Sequence, residues 1–288
     1  MYLFKKNTFD FIKIKLILPL LLSTILFCNI TYSEETFVGF IETLEGQAKK
    51  NSDGNLKRLS EYDQIFTNEN IIVGANSSIN ISFVDNSTLT LNSESEFVIK
   101  EFDNISLEKF FLLEIIRGKF TFESGSIAKS REDAMKIILS EIEVILNGTL
   151  VTGENSEESK SIALVEDTMG KVGSLKVIIG DQTTEINEPS AGINISGTQI
   201  QQTTLSTEET DQIKEIKKNE LVNSSTQSEE DIDRALSKQL ANGTIPDANG
   251  DGIADANDIE AYKNEIYDFR GERFDYLVEY SSGADMGL

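Results

Sequence analysis

Oxygen-bearing side chains recur at alternate positions in one short segment near the C-terminal end of the sequence. The segment runs from Asp247 to Asp258 and reads Asp-Ala-Asn-Gly-Asp-Gly-Ile-Ala-Asp-Ala-Asn-Asp. Alternate spacing wraps several oxygens around one point, and Gly252 allows the chain to turn sharply there. Calcium takes about six to eight hard oxygen ligands in an adaptable geometry. The spacing therefore predicts a calcium-binding loop.

The segment resembles the loop of an EF-hand, with one departure at its last position. An EF-hand ends on Glu, and the Asp found here makes the loop more similar to that of a dockerin. The resemblance implies calcium ligands at Asp247, Asn249, Asp251, Ile253, Asp255 and Asp258. Ile253 would supply its backbone carbonyl and bury its side chain. The alternatives are a solvated turn rich in Asp and Gly, and a degenerate or Mg²⁺-filled loop.

Helical patterns stand on both sides of this loop. Ser228, followed by three acidic residues, is typical of a helix N-cap and predicts a helix that ends near Leu240. After the loop, residues 256–269 are predicted to form a second helix. Its apolar face holds Ile259, Tyr262, Ile266 and Phe269. We expect residues 229–270 to form a small helical calcium-binding module, followed by a tail over residues 271–288.

Most of the preceding chain has the alternating pattern of β-strands. Residues 78–84 place Ile and Phe on one face and small polar side chains on the other, residues 85–87 carry a turn signal, and residues 88–92 resume the alternation. Similar short patterns, separated by glycines, continue to Ile179. The fold class is therefore predicted to be mainly β, as a β-sandwich, barrel or solenoid.

The region between the β pattern and the helical module is polar. Residues 201–228 mix charged side chains with Ser, Thr, Asn and Gln. This composition predicts a polar linker, with a short helix over residues 209–222. The β domain is expected to occupy residues 34–200.

The composition excludes several kinds of catalysis. The sequence has no His and a single Cys, so an imidazole base and imidazole metal ligands are absent. Residues 126–129 have the Ser-x-x-Lys spacing, but a β-turn explains them better. The sequence contains neither a P-loop nor a dinucleotide fingerprint. We expect no catalytic residues, no organic cofactor and no enzyme activity.

The charge balance restricts the partners. Lys and Arg number 26 against 49 Asp and Glu, which gives a net charge of −23. Such an excess repels nucleic acid and anionic lipid. A nucleic-acid partner is therefore not expected.

The first 33 residues have the features of a signal peptide. Four lysines lie before residue 16, an apolar segment runs from Leu16 to Cys28, and residues 31–33 form an acceptable cleavage site. The apolar segment is short for a bilayer span, although an uncleaved anchor remains the alternative. We expect a periplasmic or secreted protein with no membrane span after cleavage.

Within the β region, residues 37–197 resemble the FecR domain. The segments that carry the resemblance are Gly46–Ala48, Asp63–Phe66, Ser77–Leu91, Arg117–Phe120, Phe122–Lys129, Asp133–Lys136, Val172–Ile179 and Glu188–Gly192. The sequence departs from the family where Asn86 replaces a turn glycine and where residues 147–149 read Asn-Gly-Thr rather than Arg-Gly-Thr.

The resemblance implies an exported β domain that binds or senses. Founding FecR proteins relay a signal from an outer-membrane transporter to a cytoplasmic sigma factor. Here we expect a free-standing exported module whose partner is an envelope protein or an extracellular ligand. The alternative is a calcium-stabilised structural or adhesive protein of the cell envelope.

Overall fold

The predicted β pattern forms two facing sheets in the computed structural model, which describes residues 35–52, 54–167, 170–196 and 199–282. The predicted signal peptide lies outside these residues. The described strands, in chain order, are β1 Phe37–Glu45, β2 Ala48–Ser52, β3 Asn55–Arg58, β4 Gln64–Phe66, β5 Asn70–Val73, β6 Ser78–Phe83, β7 Thr88–Leu91, β8 Glu96–Asp103, β9 Phe110–Glu123, β10 Met135–Leu139, β11 Ile142–Asn147, β12 Leu150–Asn155, β13 Lys160–Val165, β14 Ser174–Ile179, β15 Gln182–Ile186, β16 Ala191–Ser196 and β17 Gln199–Thr204. The mainly β fold class is confirmed.

The two sheets share one long strand. The first sheet has the order β4-β1-β6-β7-β9-β12-β13-β16-β17. The second has the order β3-β2-β5-β8-β9-β10-β11-β14-β15, and its β9–β10 pair is parallel while its other pairs are antiparallel. The first half of β9 belongs to the second sheet and its second half to the first. The strand changes sheets near Gly118, whose φ is 100°.

Large apolar side chains fill the space between the sheets. The ring of Phe83 on β6 meets the ring of Phe111 on β9 edge to face, with 5.1 Å between centroids. Phe111 also contacts Phe122 at 5.8 Å. Edge-to-face contact is a favoured arrangement of buried aromatic pairs. The two sheets therefore form a sandwich around one apolar core.

The predicted hairpin over residues 78–92 is confirmed as β6 and β7. Its turn places Asn86 at a φ of 68°, a left-handed conformation that Asn adopts more easily than most residues. The carboxylate of Asp85 is buried and accepts the N–H of Ser87 at 3.0 Å. Burial is the main reason that the pKa of Asp85 is raised.

The described residues also contain a 3₁₀ turn and helices beyond the sheets. The turn is Ile127–Lys129, and the helices are α1 Thr207–Thr226, α2 Glu229–Ala241 and α3 Asp258–Ser282. The predicted cap of α2 is confirmed, because Ser228 and Asp231 form a reciprocal capping box. Helix α3 continues past the predicted end at residue 269 and includes Gly271. A glycine inside a helix costs only about 1 kcal/mol, so it does not end the helix here. Among the described residues, no helix has the length and apolar character needed to cross a bilayer.

The segment predicted as a polar linker contains ordered secondary structure. Residues 201–204 belong to β17, and residues 207–226 form α1. Helix α1 lies on the outer face of the first sheet through polar contacts, including a hydrogen bond of 3.1 Å between Thr210 and Ser190 and a salt bridge between Lys214 and Glu166. Because this contacting face has no apolar stripe, the sequence pattern favoured a linker.

The polar face of the β6–β7 hairpin is consequently buried as well. The ammonium of Lys217 on α1 donates to Thr88 at 2.8 Å and to Glu220 at 2.8 Å. Both Lys217 and Ser82 are shielded from solvent. A buried ammonium is tolerated only with charged and hydrogen-bonding partners, which Glu220 and Thr88 provide. Helix α1 therefore covers a face that the alternation alone suggested was open.

The position of Phe83 gives a stability prediction. Phe83→Ala should lower the free energy of unfolding by about 3–5 kcal/mol, because it removes a buried ring and leaves a cavity. Chemical denaturation of the purified protein measures this loss. Thr183→Ala, at an exposed position of strand β15, is the control and should change stability by less than about 0.5 kcal/mol. Equal losses in both variants would contradict the placement of Phe83 in the core.

Candidate functional site

The predicted calcium loop connects α2 to α3, and both helices pack against the β sandwich. A second apolar cluster joins them to β1 and to the turn after β3. Its buried members are Phe40, Tyr62, Ile232, Leu236, Ile245, Tyr262 and Ile266, and Ile259 and Phe269 pack against it. The apolar face predicted for the second helix is therefore confirmed. The described residues from 36 onward belong to one compact unit.

Strand β1 contributes to both cores because successive side chains of a strand point to opposite faces of the sheet. Its register shifts between Phe37 and Gly39 opposite β4, and between Ile41 and Thr43 opposite β6. Such bulges redirect side chains along a strand. Between these shifts, Phe40 and Ile41 pair regularly with β6 and lie on opposite faces, so Ile41 belongs to the main core and Phe40 faces the helices.

Within the loop, the first predicted ligand organises the turn. The two carboxylate oxygens of Asp247 accept the backbone N–H groups of Gly250 at 2.9 Å, Asp251 at 3.1 Å and Gly252 at 2.8 Å. The side-chain oxygen of Asn249 accepts the N–H of Asp251 at 2.9 Å. Both glycines have positive φ, of 75° and 86°. The backbone therefore curls around Asp247, as the sequence spacing predicted.

The last predicted ligand closes the loop onto α3. Asp258 is the first residue of that helix and is fully buried. Its carboxylate accepts the N–H of Asp255 at 2.7 Å and the N–H of Asn249 at 3.0 Å. These donors, Asp255 first, hold the pKa of Asp258 below its usual value. Asp258 thus fastens both halves of the loop to the start of α3.

The other two acidic side chains of the loop, those of Asp251 and Asp255, make local hydrogen bonds. Among the residues that the structure describes, no three acidic side chains are placed to hold a metal ion. Asp251 and Asp255 instead accept the N–H groups two residues ahead, of Ile253 at 2.8 Å and Asn257 at 2.7 Å. The side chain of Ile253 is 61% exposed, so the expectation that it is buried is wrong. Ile253 is not a member of the apolar cluster.

The chemistry of the donor set nevertheless fits a hard cation. Five of the predicted ligands carry side-chain oxygens, and an oxygen that accepts one N–H retains a second lone pair. Carboxylate and amide oxygens are the ligands that calcium prefers.

A polar contact fixes the middle of α3 to β1. The guanidinium of Arg270 pairs with the carboxylate of Glu42 at 2.9 Å and lies 5.1 Å from the ring centroid of Tyr62. It also contacts the side-chain oxygen of Gln227. Glu42 is buried, so without Arg270 its charge would stand uncompensated in the protein.

The turn beneath α3 holds an unusual backbone conformation. Tyr62 has a φ of 66°, which is rare for a bulky residue. Its N–H donates to Ile41 at 2.8 Å, and its carbonyl accepts the hydroxyl of Tyr262 at 2.5 Å. The next residue, Asp63, is buried and accepts the N–H of Ser60 at 2.9 Å. Burial raises the pKa of Asp63 from 3.8 to about 6.

A second candidate surface lies at the far end of the β8–β9 hairpin. Ile105 is 98% exposed and Leu107 is 103% exposed. The connection is ordered, because the carboxylate of Asp103 accepts the N–H groups of Ile105 and Ser106, each at 2.9 Å. The bond from Ser106 is the main reason that the pKa of Asp103 is lowered. We call residues 103–108 the hairpin tip.

The hairpin tip was not singled out from the sequence. Its only signal is a pair of apolar residues, Ile105 and Leu107, alternating with polar ones in a turn region. In sequence the same pattern would suit a strand with one buried face. The pairing of β8 and β9, which ends at Asp103 and Phe110, is what leaves both side chains in solvent.

Comparison with known proteins supports a FecR domain in this chain. Residues 69–173 match the family model described as FecR protein. The match extends from the start of β5 past β13 and includes the hairpin tip, but it does not include the loop 247–258. The predicted FecR resemblance is thus confirmed for the middle of the β region.

Two crystal structures of a protein from Parabacteroides distasonis ATCC 8503, provisionally described as an anti-sigma factor, are similar to this chain. Sequence identity is 13% and 12%, and the TM-scores are 0.38 and 0.39. Each similarity covers 48% of this chain and 61% of that protein. No curated protein matches the sequence.

The raised pKa of Asp63 gives a pH-dependence prediction. The folded protein holds the carboxyl proton of Asp63 more tightly than the unfolded chain does. The contribution of this proton to the free energy of unfolding is therefore complete below pH 3.8 and is lost as the pH rises through about 6. Asp63→Asn removes this titration. The unfolding free energy of the variant relative to the wild type should therefore rise by up to about 3 kcal/mol between pH 4 and pH 7. Denaturation curves across this range measure it.

Asp211→Asn is the matched control, because Asp211 is an exposed carboxylate on α1. The difference in unfolding free energy between Asp211→Asn and the wild type should stay constant over the same pH range. If the unfolding free energies of the wild type and Asp63→Asn change in parallel with pH, the pKa of Asp63 is not raised and the prediction is wrong.

Proposed function

We propose that this protein is an exported, non-catalytic binding or signal-sensing module built on a FecR domain, with one calcium loop that stabilises its C-terminal helices. The observation that carries the proposal is the hairpin tip. It lies inside the residues that match the FecR family, and it presents two ordered, fully exposed apolar side chains.

The hairpin tip suits recognition of another protein. Exposed apolar residues cluster at interaction sites, where a few anchors that fill a pocket supply most of the binding energy. The backbone around Ile105 is already held by Asp103, so little ordering is required on binding. We infer that the partner is an envelope protein, or another extracellular ligand, with an apolar pocket that receives Ile105 and Leu107.

The calcium loop is proposed to act through α3. A bound ion would neutralise the repulsion between the carboxylates of Asp247, Asp251, Asp255 and Asp258. Asp258 begins the helix whose Tyr262 and Ile266 are buried against β1 and the turn after β3. Ordering of the loop would therefore favour docking of α3 on the β sandwich.

Export is the third part of the proposal. Its support is the lysine-rich and then apolar sequence of residues 1–28 and the acceptable cleavage site that follows. Outside the cytoplasm free calcium reaches millimolar concentrations. Such concentrations suit weak extracellular sites, whose dissociation constants are about 10⁻⁴ to 10⁻³ M.

Calcium should stabilise the protein measurably. If the dissociation constant is about 10⁻⁵ M, millimolar calcium raises the free energy of unfolding by about 2.7 kcal/mol, whereas a site of about 10⁻³ M gives less than about 1 kcal/mol. Titration calorimetry of the whole exported protein, with thermal unfolding at each calcium concentration, measures both quantities. Asp247→Ala should abolish both the heat of calcium binding and the calcium-dependent gain in the free energy of unfolding.

The comparison must be between each variant with and without calcium, because Asp247 also accepts three backbone N–H groups. Asp211→Ala, which removes an exposed carboxylate outside the loop, should keep the full calcium response. If calorimetry detects no heat of binding at several millimolar calcium, the loop is an acidic turn and not a calcium site.

Partner capture tests the binding function. The tagged exported protein, incubated with an extract of its own cell envelope, should retain a protein that is lost with the double variant Ile105→Ser/Leu107→Ser. Removal of two apolar anchors should weaken a specific complex at least tenfold. Leu56→Ser changes another exposed apolar residue, outside the matched range, and should retain the partner.

The alternative structural role has its own signature. A calcium-stabilised adhesive protein would attach to the cell surface only in the presence of calcium and would be indifferent to the Ile105→Ser/Leu107→Ser change. That combination would replace the binding-module proposal.

A further inference from the structure

Each sheet ends in two edge strands. Within the described ranges these are β4 and β17 in the first sheet and β3 and β15 in the second. An edge strand presents unpaired N–H and C=O groups to any extended chain that approaches it, and proteins usually block such edges with charge, shortness or a covering element.

Three of the four edges are blocked in these ways. Strand β3 carries Lys57 and Arg58. Strand β15 begins directly after Asp181 and carries Glu185. Strand β4 has only three residues, and the side chain of Gln64 on it donates to Glu265 of α3 at 2.8 Å. Pairing of another chain at these edges would meet charge or a helix.

Strand β17 has none of these features. Its sequence is Gln-Ile-Gln-Gln-Thr-Thr, and residues 189–207 contain no Asp, Glu, Lys or Arg. Charged residues make up 26% of the chain, so an uncharged stretch of this length is unusual. The strand pairs with β16 without a bulge, from Gln199 opposite Ser196 to Thr204 opposite Ala191.

The free edge of β17 is accessible. Five of its six residues are exposed, and Ile200 alone is half-buried. Helix α1 begins just after the strand but runs inward over the sheet, since Thr210 meets Ser190, Lys214 meets Glu166, and Lys217 meets Thr88 on β7. The helix therefore leaves the edge uncovered.

We propose that β17 pairs antiparallel with β17 of a second copy, which extends the first sheet across a two-fold axis. Two copies that each carry a charge of −23 repel one another over most of their surfaces. An uncharged edge is where this repulsion is weakest. A second β17 also matches the edge in length, and a two-fold pairing satisfies both copies at once. The proposal depends neither on calcium nor on the FecR match, which ends before β14.

The test is the association state of the exported protein by sedimentation velocity. We expect a reversible dimer whose dissociation constant falls as NaCl rises from about 0.05 M to about 0.5 M, because the Debye length shortens from roughly 14 Å to roughly 4 Å. The double variant Gln201→Glu/Thr203→Glu places four added charges along the paired edges and should weaken the dimer at least tenfold.

The control makes the same change at another edge. Gln182→Glu/Thr183→Glu alters exposed residues of β15 and should leave the dimer intact. A second measurement needs no variant: hydrogen exchange of the wild type should show β17 amides that become protected as protein concentration rises, while β15 amides do not change.

Three results would overturn the proposal. The first is a monomer at every concentration and salt. The second is a dimer that both double variants weaken equally. The third is protection of β17 only after envelope extract is added, which would assign the edge to a strand of another protein.

Discussion

The structure depends on one strand that serves two sheets. Strand β9 pairs with β8 and β10 along its first half and with β7 and β12 along its second. The crossing at Gly118 leaves no room for a side chain, because a Cβ atom there would lie 2.1 Å from the hydroxyl of Ser95. A larger residue would have to push β8 away from β9. Because of this crossing, Phe111 lies in the part of β9 that belongs to the second sheet and faces Phe83 of the first.

The outer face of the first sheet is covered in two chemically different ways. Helix α1 covers β7 and β13 through Lys217, Lys214 and Thr210, whereas α2 and α3 cover β1 through aromatic and aliphatic side chains. Polar burial of this kind requires every group to find a partner, and it adds less stability than the apolar contact. The apolar patch around Phe40 and Tyr262 is therefore the firmer attachment of the C-terminal helices to the sandwich.

Sequence patterns predicted the parts of this arrangement that depend on local periodicity. The β6–β7 hairpin, the cap at Ser228 and the buried face around Tyr262 each follow from spacing within a few residues. The sequence did not indicate that α1 lies on a sheet, because its contacts with Ser190 and Thr88 are polar and because Thr88 is 129 residues away from Lys217. The exposure of Ile105, Leu107 and Ile253 likewise depends on where strands and helices end. The raised pKa of Asp63 depends on burial beneath α3, which no local pattern encodes.

The bond between the hydroxyl of Tyr262 and the carbonyl of Tyr62 joins residues 200 positions apart. The Arg270–Glu42 pair spans a similar separation. A chain synthesised from its N-terminal end therefore leaves Phe40 and Glu42 without these partners until α3 has been made. Long-range closure of this kind slows folding, and an incomplete chain exposes apolar surface that invites aggregation. The covering of Phe40 and Glu42 thus waits for residues 258–282, and loss of α3 would remove its contacts with these two residues of β1.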